Sequence, residues 1–528
     1  MAIINLLLLF VIWMAWSPQQ PGNPLLSAAP SMVVFFCGYA TLVLAVGVWS
    51  RRLARGVSNE RIMDGMRQFN WVIALARMAI PAWFGVGVFW LGWGSRVQVL
   101  LGPIANWGIS SPPLILGIMP GLIAWMSLWW AQFPVDRALR EQNIVSRLDR
   151  DLPVYAPPGF WIYFLSKLRM QLLLILVPVL MIVMLRDLVG LVLRWGGVGI
   201  ISDNIDSAIW ASSMIVVFVI SPEVLRRVLA TERLPDPELG ARLRVISDRA
   251  GVDARVLLWR THHTVGNALV MGPVAWFRYV LLSDLLLESL ADDEVAAVFA
   301  HEVGHITNRH IIWYGIFLFG LGLALFGLND LARRLAGHAG IDPYSVDQAF
   351  PVVEILMFVF CFGFLSRRFE RQADVYAART LEAIKQSTLP GVATHVGPEG
   401  ARIFNSALLR VSEVNNVPLE TYSRFAGTLR QRLRFLTEWF GNLGGSWLHG
   451  TMASRMRYIE EISRDPKLTA AFDSRMRRVK ITVLALVLAC GGWAAWTAKQ
   501  QSDNLTSPAP ALLPSAANDA LLLRPAAE

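Results

Sequence analysis

Charged residues are scarce in this sequence. Only 16% of the 528 residues are Asp, Glu, Lys or Arg, whereas soluble globular proteins carry about 25%. Hydrophobic residues make up 55% of the chain. This balance argues against an ordinary soluble protein and predicts a chain that is largely embedded in a membrane.

Cysteine is also rare, and the three cysteines lie far apart in the sequence. Cys37, Cys361 and Cys490 each fall within a long apolar run. This arrangement argues against a disulfide framework and against a thiolate metal site. The simplest interpretation is that all three are small buried apolar residues.

Basic residues outnumber acidic ones, and the net charge is +9. In a soluble protein this excess would suggest nucleic acid as a partner. Here the basic residues cluster in loops beside apolar runs, where positive charge sets membrane topology. We therefore expect no nucleic-acid partner, and we expect the lipid bilayer to surround much of the chain.

Long apolar runs predict about nine membrane spans. Six precede residue 223, two form a hairpin between residues 312 and 365, and one lies near the C-terminus. The Arg-rich loops after the second and fourth spans are expected in the cytoplasm, because basic loops stay on that side. Alternation of the spans then places the polar segments on both sides of the hairpin at the cytoplasmic face.

These segments predict a mainly α, polytopic membrane protein with a cytoplasmic α+β catalytic domain. Short β-like runs at 255–259, 267–271 and 279–283 predict a small sheet. The predicted parts are N-terminal membrane helices over 1–222, a first catalytic part over 223–310, a transmembrane hairpin over 311–366, a second catalytic part over 367–479, a membrane helix over 480–497 and a disordered tail over 498–528.

One motif indicates the chemistry of the catalytic part, namely His301-Glu302-Val303-Gly304-His305 in a helix-compatible apolar run. Residues four apart lie on one face of a helix, so both histidines can direct an imidazole at one metal ion. Glu302 is placed to take a proton from a water that the metal activates. This His-Glu-x-x-His pattern is typical of zinc hydrolases and predicts a zincin-like domain with Zn²⁺ as cofactor.

A catalytic zinc usually has three protein ligands and one open position. The third ligand could be a carboxylate or another histidine. Glu370 is the best carboxylate, because the predicted hairpin returns it to the side of the histidine pair. Asp374 follows four residues later on the same helix face and can orient a histidine ligand. The remaining histidines are His262, His263, His310, His338, His395 and His449; His310, five residues past His305, is expected to face away from the metal.

Four blocks of the sequence carry a family resemblance. They are NA at 267–268 followed by RYVLLSD at 278–284, DEVAAVFAHEVGHI at 293–306, SRRFERQAD at 366–374 and HGTMASR at 449–455. Together they resemble the integral-membrane zinc endopeptidases that include the type I CAAX prenyl proteases and the bacterial heat-shock protease HtpX. The resemblance covers about residues 235–460, with one departure: the family usually has Pro after the last histidine, where this chain has Gly450.

The resemblance implies a role for each matching residue. It implies His301, His305 and Glu370 as zinc ligands, Glu302 as general base, Asp374 as the partner of a ligand histidine, Asn267 and Ala268 on an edge strand that pairs with the substrate, and His449 and Arg455 near the scissile bond.

We interpret the chain as a zinc-dependent membrane endopeptidase that hydrolyses peptide bonds of membrane or membrane-associated proteins. The low cysteine count and the charge bias favour a bacterial inner membrane, a cytoplasmic catalytic site and a role in protein quality control. Two alternatives stay open. One is a CAAX-type peptidase for lipidated or small peptides, and the other is a non-catalytic membrane chaperone or scaffold that retains the zinc site. A transporter is a weaker option, because the sequence has no visible inverted repeat.

Overall fold

The structure is a computed structural model that describes residues 2–16, 27–56, 62–149, 153–198, 201–386, 391–415, 417, 419 and 448–506. Among these residues, eight helices are long and apolar enough to cross a membrane, and one further apolar helix is shorter. The predicted polytopic helical architecture is therefore confirmed. Helices are the expected form for these runs, because a helix satisfies its backbone polar groups internally where no water is available.

The N-terminal helices form one packed bundle. Its core contains large aromatic side chains, including Phe35, Phe84, Trp125 and Trp129. Gly87 permits one close approach, since a Cβ at this position would lie 2.0 Å from the Phe35 ring. The helices are α1 (Ala2–Ala15), α2 (Ala28–Gly56), α3 (Ile62–Phe89), the short α4 (Trp93–Ala105), α5 (Ser111–Leu148), α6 (Phe160–Lys167), which continues through a π-helical turn into α7 (Leu174–Trp195), and α8 (Asp203–Val228).

The catalytic region contains a four-stranded sheet with the strand order β1-β2-β4-β3. Its strands are β1 (Thr231–Arg233), β2 (Arg255–Trp259), β3 (Ala268–Met271) and β4 (Tyr279–Ser283). The three predicted strands are confirmed, and β1 is an additional short strand. β2 and β4 are parallel, whereas β3 runs antiparallel to β4 with Ala268 opposite Leu282. β3 is therefore an edge strand.

The remaining helices carry the catalytic region and the later membrane segments. They are α9 (Pro237–Arg249), α10 (Asp284–Ser289), α11 (Asp292–Thr307), α12 (His310–His338), α13 (Pro343–Gln386), α14 (Pro398–Val414), α15 (Met452–Ser463) and α16 (Pro466–Thr506). Two of them cross the predicted boundaries. α13 continues without a break from the apolar segment into the polar one. α16 extends to Thr506, into the tail predicted to be disordered, and residues 507–528 lie outside the described residues.

The chain divides into two compact units. The first contains the N-terminal bundle, the sheet and most of the catalytic helices. Among the described residues the second consists of 315–346 and 479–506, and thus contains most of α12 and most of α16. Within this second unit the two helices pack closely, since a Cβ at Gly320 would lie 2.2 Å from the Val487 side chain.

Candidate metal centre

Helix α11 presents the two motif histidines side by side. Its first turn contains Asp292, Asp293 and Glu294, whose negative charge favours a helix N-terminus. His301 and His305 lie one turn apart, and their Nε2 atoms are 3.2 Å from each other. Both side chains are buried. His301 and His305 therefore lie on one face of α11, as predicted.

Glu370 on α13 completes a cluster of three metal-ligating groups. Its carboxylate oxygens lie 3.6 Å from His301 Nε2 and 3.6 Å from His305 Nε2. Tetrahedral zinc with bonds of about 2.0–2.1 Å requires its ligand atoms to be about 3.3–3.4 Å apart. Glu370 Oε2 is also buried without a hydrogen-bond partner. The three groups therefore fit a single metal ion.

Close packing between α11 and α13 explains why Glu370 reaches the histidines. Gly304 lies against α13, and a Cβ there would be 3.1 Å from the Cα of Ala373 and 3.1 Å from Tyr376. Near its start, α12 also contacts α13. The Tyr314 hydroxyl lies 3.3 Å from the Ser366 hydroxyl. α13 thus brings its polar segment back to α11, as the predicted hairpin requires.

A buried ion pair positions the ring of His301. His301 Nδ1 lies 2.9 Å from Asp374 Oδ1, so the carboxylate faces this nitrogen and Nε2 is left for a metal. Arg455 donates two hydrogen bonds to Asp374, at 2.9 and 2.5 Å. Burial alone would lower the pKa of Arg455, but Asp374 raises it above its ordinary value. Arg455 therefore neutralises the buried Asp374 carboxylate.

Replacing Arg455 by Met should leave the Asp374 carboxylate buried without a counter-charge. We expect a loss of about 3–5 kcal/mol in the free energy of unfolding, the usual effect of removing one partner from a buried pair. Thermal unfolding of the purified protein measures this loss. Arg464→Met is the control, because Arg464 is exposed and pairs with Glu460 at the surface. Equal stability of the two variants would contradict the assignment.

His310 lies next to His305 rather than facing away from the metal centre, so the prediction for this residue was wrong. Its Nδ1 is 2.9 Å from His305 Nδ1, and its Nε2 is 3.0 Å from Gln372 Oε1. The ring is fully buried and stacks on Phe369 at 4.4 Å. The prediction assumed one continuous helix. The structure instead ends α11 at Thr307, and Arg309 has a left-handed φ of 57° before α12 begins.

This contact allows His310 to orient His305 for a metal. A proton on His305 Nδ1 can be donated to His310, and a proton on His310 Nε2 can be donated to Gln372. Outer-shell partners of this kind typically change metal affinity about 10–100-fold when they are replaced. The sequence contained no signal for this role, because the contact depends on the turn at Arg309 between α11 and α12.

We expect His310→Phe to weaken zinc binding about 10–100-fold, because the ring stays stacked on Phe369 while its nitrogens are lost. Competition with a chromophoric chelator measures the affinity. His338→Phe is the control, since His338 is the exposed last residue of the same helix. Unchanged affinity in His310→Phe would show that His305 needs no such partner.

Glu302 connects the metal centre to the edge strand. Its carboxylate lies near the Val270 backbone on β3, because α11 packs against this strand. Burial raises the pKa of this carboxyl above its ordinary value, which makes it a stronger base than an exposed glutamate. Asn267 and Ala268 lie at the N-terminal end of the same strand. The Asn267 backbone N–H donates to Ser283 on β4 at 2.8 Å, and the Asn267 side chain is exposed.

His449 reaches the cluster from another part of the chain. Its Nδ1 lies 3.0 Å from Glu370 Oε1, while 53% of its side chain is exposed. Gly450 has a left-handed φ of 75°, and Thr451 then caps α15 through the Ser454 N–H. Proline cannot adopt a positive φ. The departure from the family pattern at Gly450 therefore reflects the turn that leads into α15.

The fold and the cluster together define a class: a multi-pass membrane protein with a possible metal site made of two histidines and one carboxylate. The sequence model of peptidase family M48 matches residues 234–433. The resemblance found in the sequence is therefore confirmed over this region, which is less than half of the chain.

Individual relatives match shorter regions. The chain is 27% identical over 176 residues to CAAX prenyl protease 1 of Saccharomyces cerevisiae, which covers 28% of this chain and 38% of that protein. It is 30% identical over 128 residues to the CAAX prenyl protease 1 homolog of Oryza sativa subsp. japonica, covering 22% of this chain and 30% of that protein. The matches thus span about a third of the length of these curated relatives.

A solved structure also matches. The crystal structure of S. mikatae Ste24p aligns with 80% of this chain and 98% of that chain, at 16% sequence identity and a TM-score of 0.41.

Proposed function

We propose that this protein is a zinc-dependent endopeptidase that cleaves membrane or membrane-associated proteins. The observation that carries the proposal is the position of Glu302. This buried carboxylate lies on the helix of His301 and His305, and that helix packs against edge strand β3. A structural metal site would need the three ligands but would not need a base that contacts a potential substrate strand.

In the proposed mechanism, His301, His305 and Glu370 would hold zinc, which would supply a Lewis acid that makes water nucleophilic near neutral pH. Glu302 accepts the proton of the attacking water and later transfers it to the leaving amine nitrogen. The substrate backbone would pair with β3 beside Asn267 and Ala268, as in β-strand addition.

We assign different roles to the two downstream residues. His449 is half exposed beside Glu370, so it can approach a substrate and stabilise negative charge on the carbonyl oxygen. Arg455 is buried and bonded to Asp374. Its role is to hold the Asp374 carboxylate, and through it the ring of His301, in position.

The position of the site suggests the substrate class. Helix α13 is continuous with an apolar segment, and α11 is followed within three residues by the apolar helix α12. We therefore propose that the substrates are membrane proteins. We place their cleavage in quality control at the cytoplasmic face of a bacterial inner membrane. Processing of peptides with a C-terminal CAAX sequence is a second candidate. It is supported by the names of the matched relatives, which are CAAX prenyl proteases.

Metal removal tests the proposed activity. Purified protein is incubated with an unfolded protein and a broad peptide panel, before and after treatment with 1,10-phenanthroline. We expect cleavage that stops on chelation and returns when zinc is added. Absence of cleavage by zinc-loaded protein across the whole panel would instead support a chaperone or scaffold that retains the site. A proteomic comparison of membranes with wild-type and Glu302→Gln protein would then identify the substrates.

A further inference from the structure

A cavity of about 280 Å³ lies apart from the metal centre and shares no lining residue with it. It lies where the membrane bundle meets the catalytic region. One wall comes from residues 69–70, in the first third of α3, and from α5. A second wall comes from residues 155–158, before α6. The catalytic region contributes residues 262–264 and 414–415. The proposed peptidase mechanism uses none of these residues.

The cavity has more basic than acidic side chains. Arg140 pairs with Asp136 at 2.7 Å. Arg147 donates hydrogen bonds only to the Pro153 and Val414 carbonyls among the described residues, and its Nη2 is buried without a partner. Carbonyl oxygens accept hydrogen bonds but do not neutralise a guanidinium. The charge of Arg147 is therefore uncompensated within the described part of the chain.

Two more cations lie behind the cavity within the helix bundle. Arg77 on α3 has Tyr163 as an electrostatic partner, and its Nε is buried without a hydrogen bond. Lys167 on α6 is in electrostatic range of Asp136, the carboxylate that already pairs with Arg140. Arg140 and Lys167 thus share the Asp136 carboxylate, and the charge of Arg77 also acts on Lys167. Cations within membrane helices are costly and usually mark a functional site.

The wall from the catalytic region has a strained backbone. His262 and His263 have left-handed φ values of 53° and 54°, a rare conformation for two consecutive residues with a Cβ. Asp284 holds this loop, since it accepts from the Thr261 hydroxyl and from the His263 N–H at 3.4 Å. The His263 ring stacks on Tyr155 at 3.9 Å. Such strain persists where surrounding contacts impose it, often at ligand-binding sites.

The location of the cavity indicates what it binds. The membrane segment of α3 begins at Gln68, that of α5 ends at Gln142, and that of α6 begins at Phe160. These three helix ends therefore lie at one membrane face, which is also the face that contacts the catalytic region through this cavity. Lipid phosphates lie at this depth, and basic pockets between membrane helices bind anionic headgroups.

A peptide substrate extended along β3 would not reach the cavity. Asn415 occupies both backbone groups of Gly266, since its Nδ2 donates to the Gly266 oxygen at 2.6 Å and its Oδ1 accepts from the Gly266 N–H at 3.0 Å. Asn415 therefore ends the hydrogen-bonding edge just before Asn267. The cavity lies beyond this block, so it is separate from the substrate strand.

We propose that this cavity binds the phosphate-bearing headgroup of an anionic phospholipid. Arg147 and Arg140 supply positive charge at the cavity wall, and Arg77 and Lys167 supply it from behind. The bound lipid would join α3 and α5 to the loop at residues 262–264, and so fix the catalytic region to the membrane face. The proposal is independent of the peptidase activity, because binding requires neither zinc nor Glu302.

Thermal unfolding of the full-length protein in neutral detergent tests the proposal. Phosphatidylglycerol and phosphatidylcholine are added separately, and the increase in Tm that each lipid causes is measured for every variant against its own lipid-free Tm. This increment separates lipid binding from any destabilisation by the substitution itself. We expect phosphatidylglycerol to raise the Tm of wild-type protein and phosphatidylcholine to leave it nearly unchanged.

Arg147→Met and Lys167→Met should each lower the apparent affinity for phosphatidylglycerol about tenfold or more, as expected for the loss of one charge-assisted contact. Arg137→Met is the matched control. Arg137 is also on α5, but it is exposed and pairs with Glu141 at the surface. We expect this control to keep the full increment. An equal loss in the control would show general charge attraction and overturn the proposal.

Three further measurements distinguish the sources of the anion. Native mass spectrometry should find a retained anionic phospholipid on wild-type protein and on Arg137→Met, and a reduced amount on Arg147→Met. Inorganic phosphate that reproduced the whole Tm increment would assign the cavity to a soluble anion and overturn the lipid proposal. A peptide with a free C-terminal carboxylate is also tested against the same peptide with a C-terminal amide. If only the free carboxylate reproduced the whole Tm increment, the cavity would be assigned to substrate and the lipid proposal overturned.

Discussion

Glu302→Gln is expected to lower kcat/KM for peptide hydrolysis by about 10²–10⁴-fold, the contribution of a positioned general base. The amide of glutamine cannot accept the proton of the attacking water. Glutamine has nearly the same shape as glutamate, so the local structure should persist. Hydrolysis of a fluorogenic peptide, with zinc content measured on the same sample, checks both parts of the prediction.

Zinc content makes the Glu302→Gln experiment specific. We expect about one zinc per chain in wild-type protein and in the variant, because Glu302 is not one of the three clustered ligand groups. Glu399→Gln is the control for the same chemical change, since Glu399 pairs with Arg402 at the surface. Undiminished hydrolysis by Glu302→Gln would remove the proposed general base and the mechanism built on it.

Glu370→Gln is expected to remove zinc from the protein. Glu370 supplies the only carboxylate in the cluster with His301 and His305 among the described residues, and an amide oxygen is a weaker, uncharged ligand. The loss of affinity should exceed the roughly 10–100-fold effect of replacing an outer partner such as His310. Zinc should therefore be retained in the order wild type, His310→Phe, Glu370→Gln during dialysis against a chelator.

The opposite order would contradict the assignment of Glu370 as the third ligand. Equal zinc retention in wild type and Glu370→Gln would also contradict this assignment. His449, whose Nδ1 lies 3.0 Å from Glu370 Oε1, would then be the next candidate for the third ligand. Circular dichroism of each variant serves as a folding control. Glu370→Gln keeps the shape of the buried side chain, so we expect its helix content to match that of wild type.

The parts of the fold predicted correctly from the sequence depend on local patterns. The spacing of His301 and His305 places both on one face of α11 because a helix repeats every 3.6 residues. The short β-like runs at 255–259, 267–271 and 279–283 predicted β2, β3 and β4. The return of Glu370 followed from two apolar runs in succession, since a chain that crosses a membrane twice ends on the side where it began.

The parts that the sequence did not reveal depend on breaks in these patterns and on distant contacts. Arg309 adopts a left-handed φ that the sequence does not signal, and this single residue turns His310 back toward His305. The basic cavity could not be predicted from the sequence either. Its lining residues are spread from Phe69 to Asn415, and no periodicity connects them.

X-ray absorption spectroscopy at the zinc edge tests the central claim most directly. For purified wild-type protein we predict a first shell of nitrogen and oxygen atoms at about 2.0–2.1 Å, with outer scattering from two imidazole rings and no sulfur at about 2.3 Å. His301, His305 and Glu370 together require this result. A sulfur shell, or a protein that binds no zinc, would contradict the account.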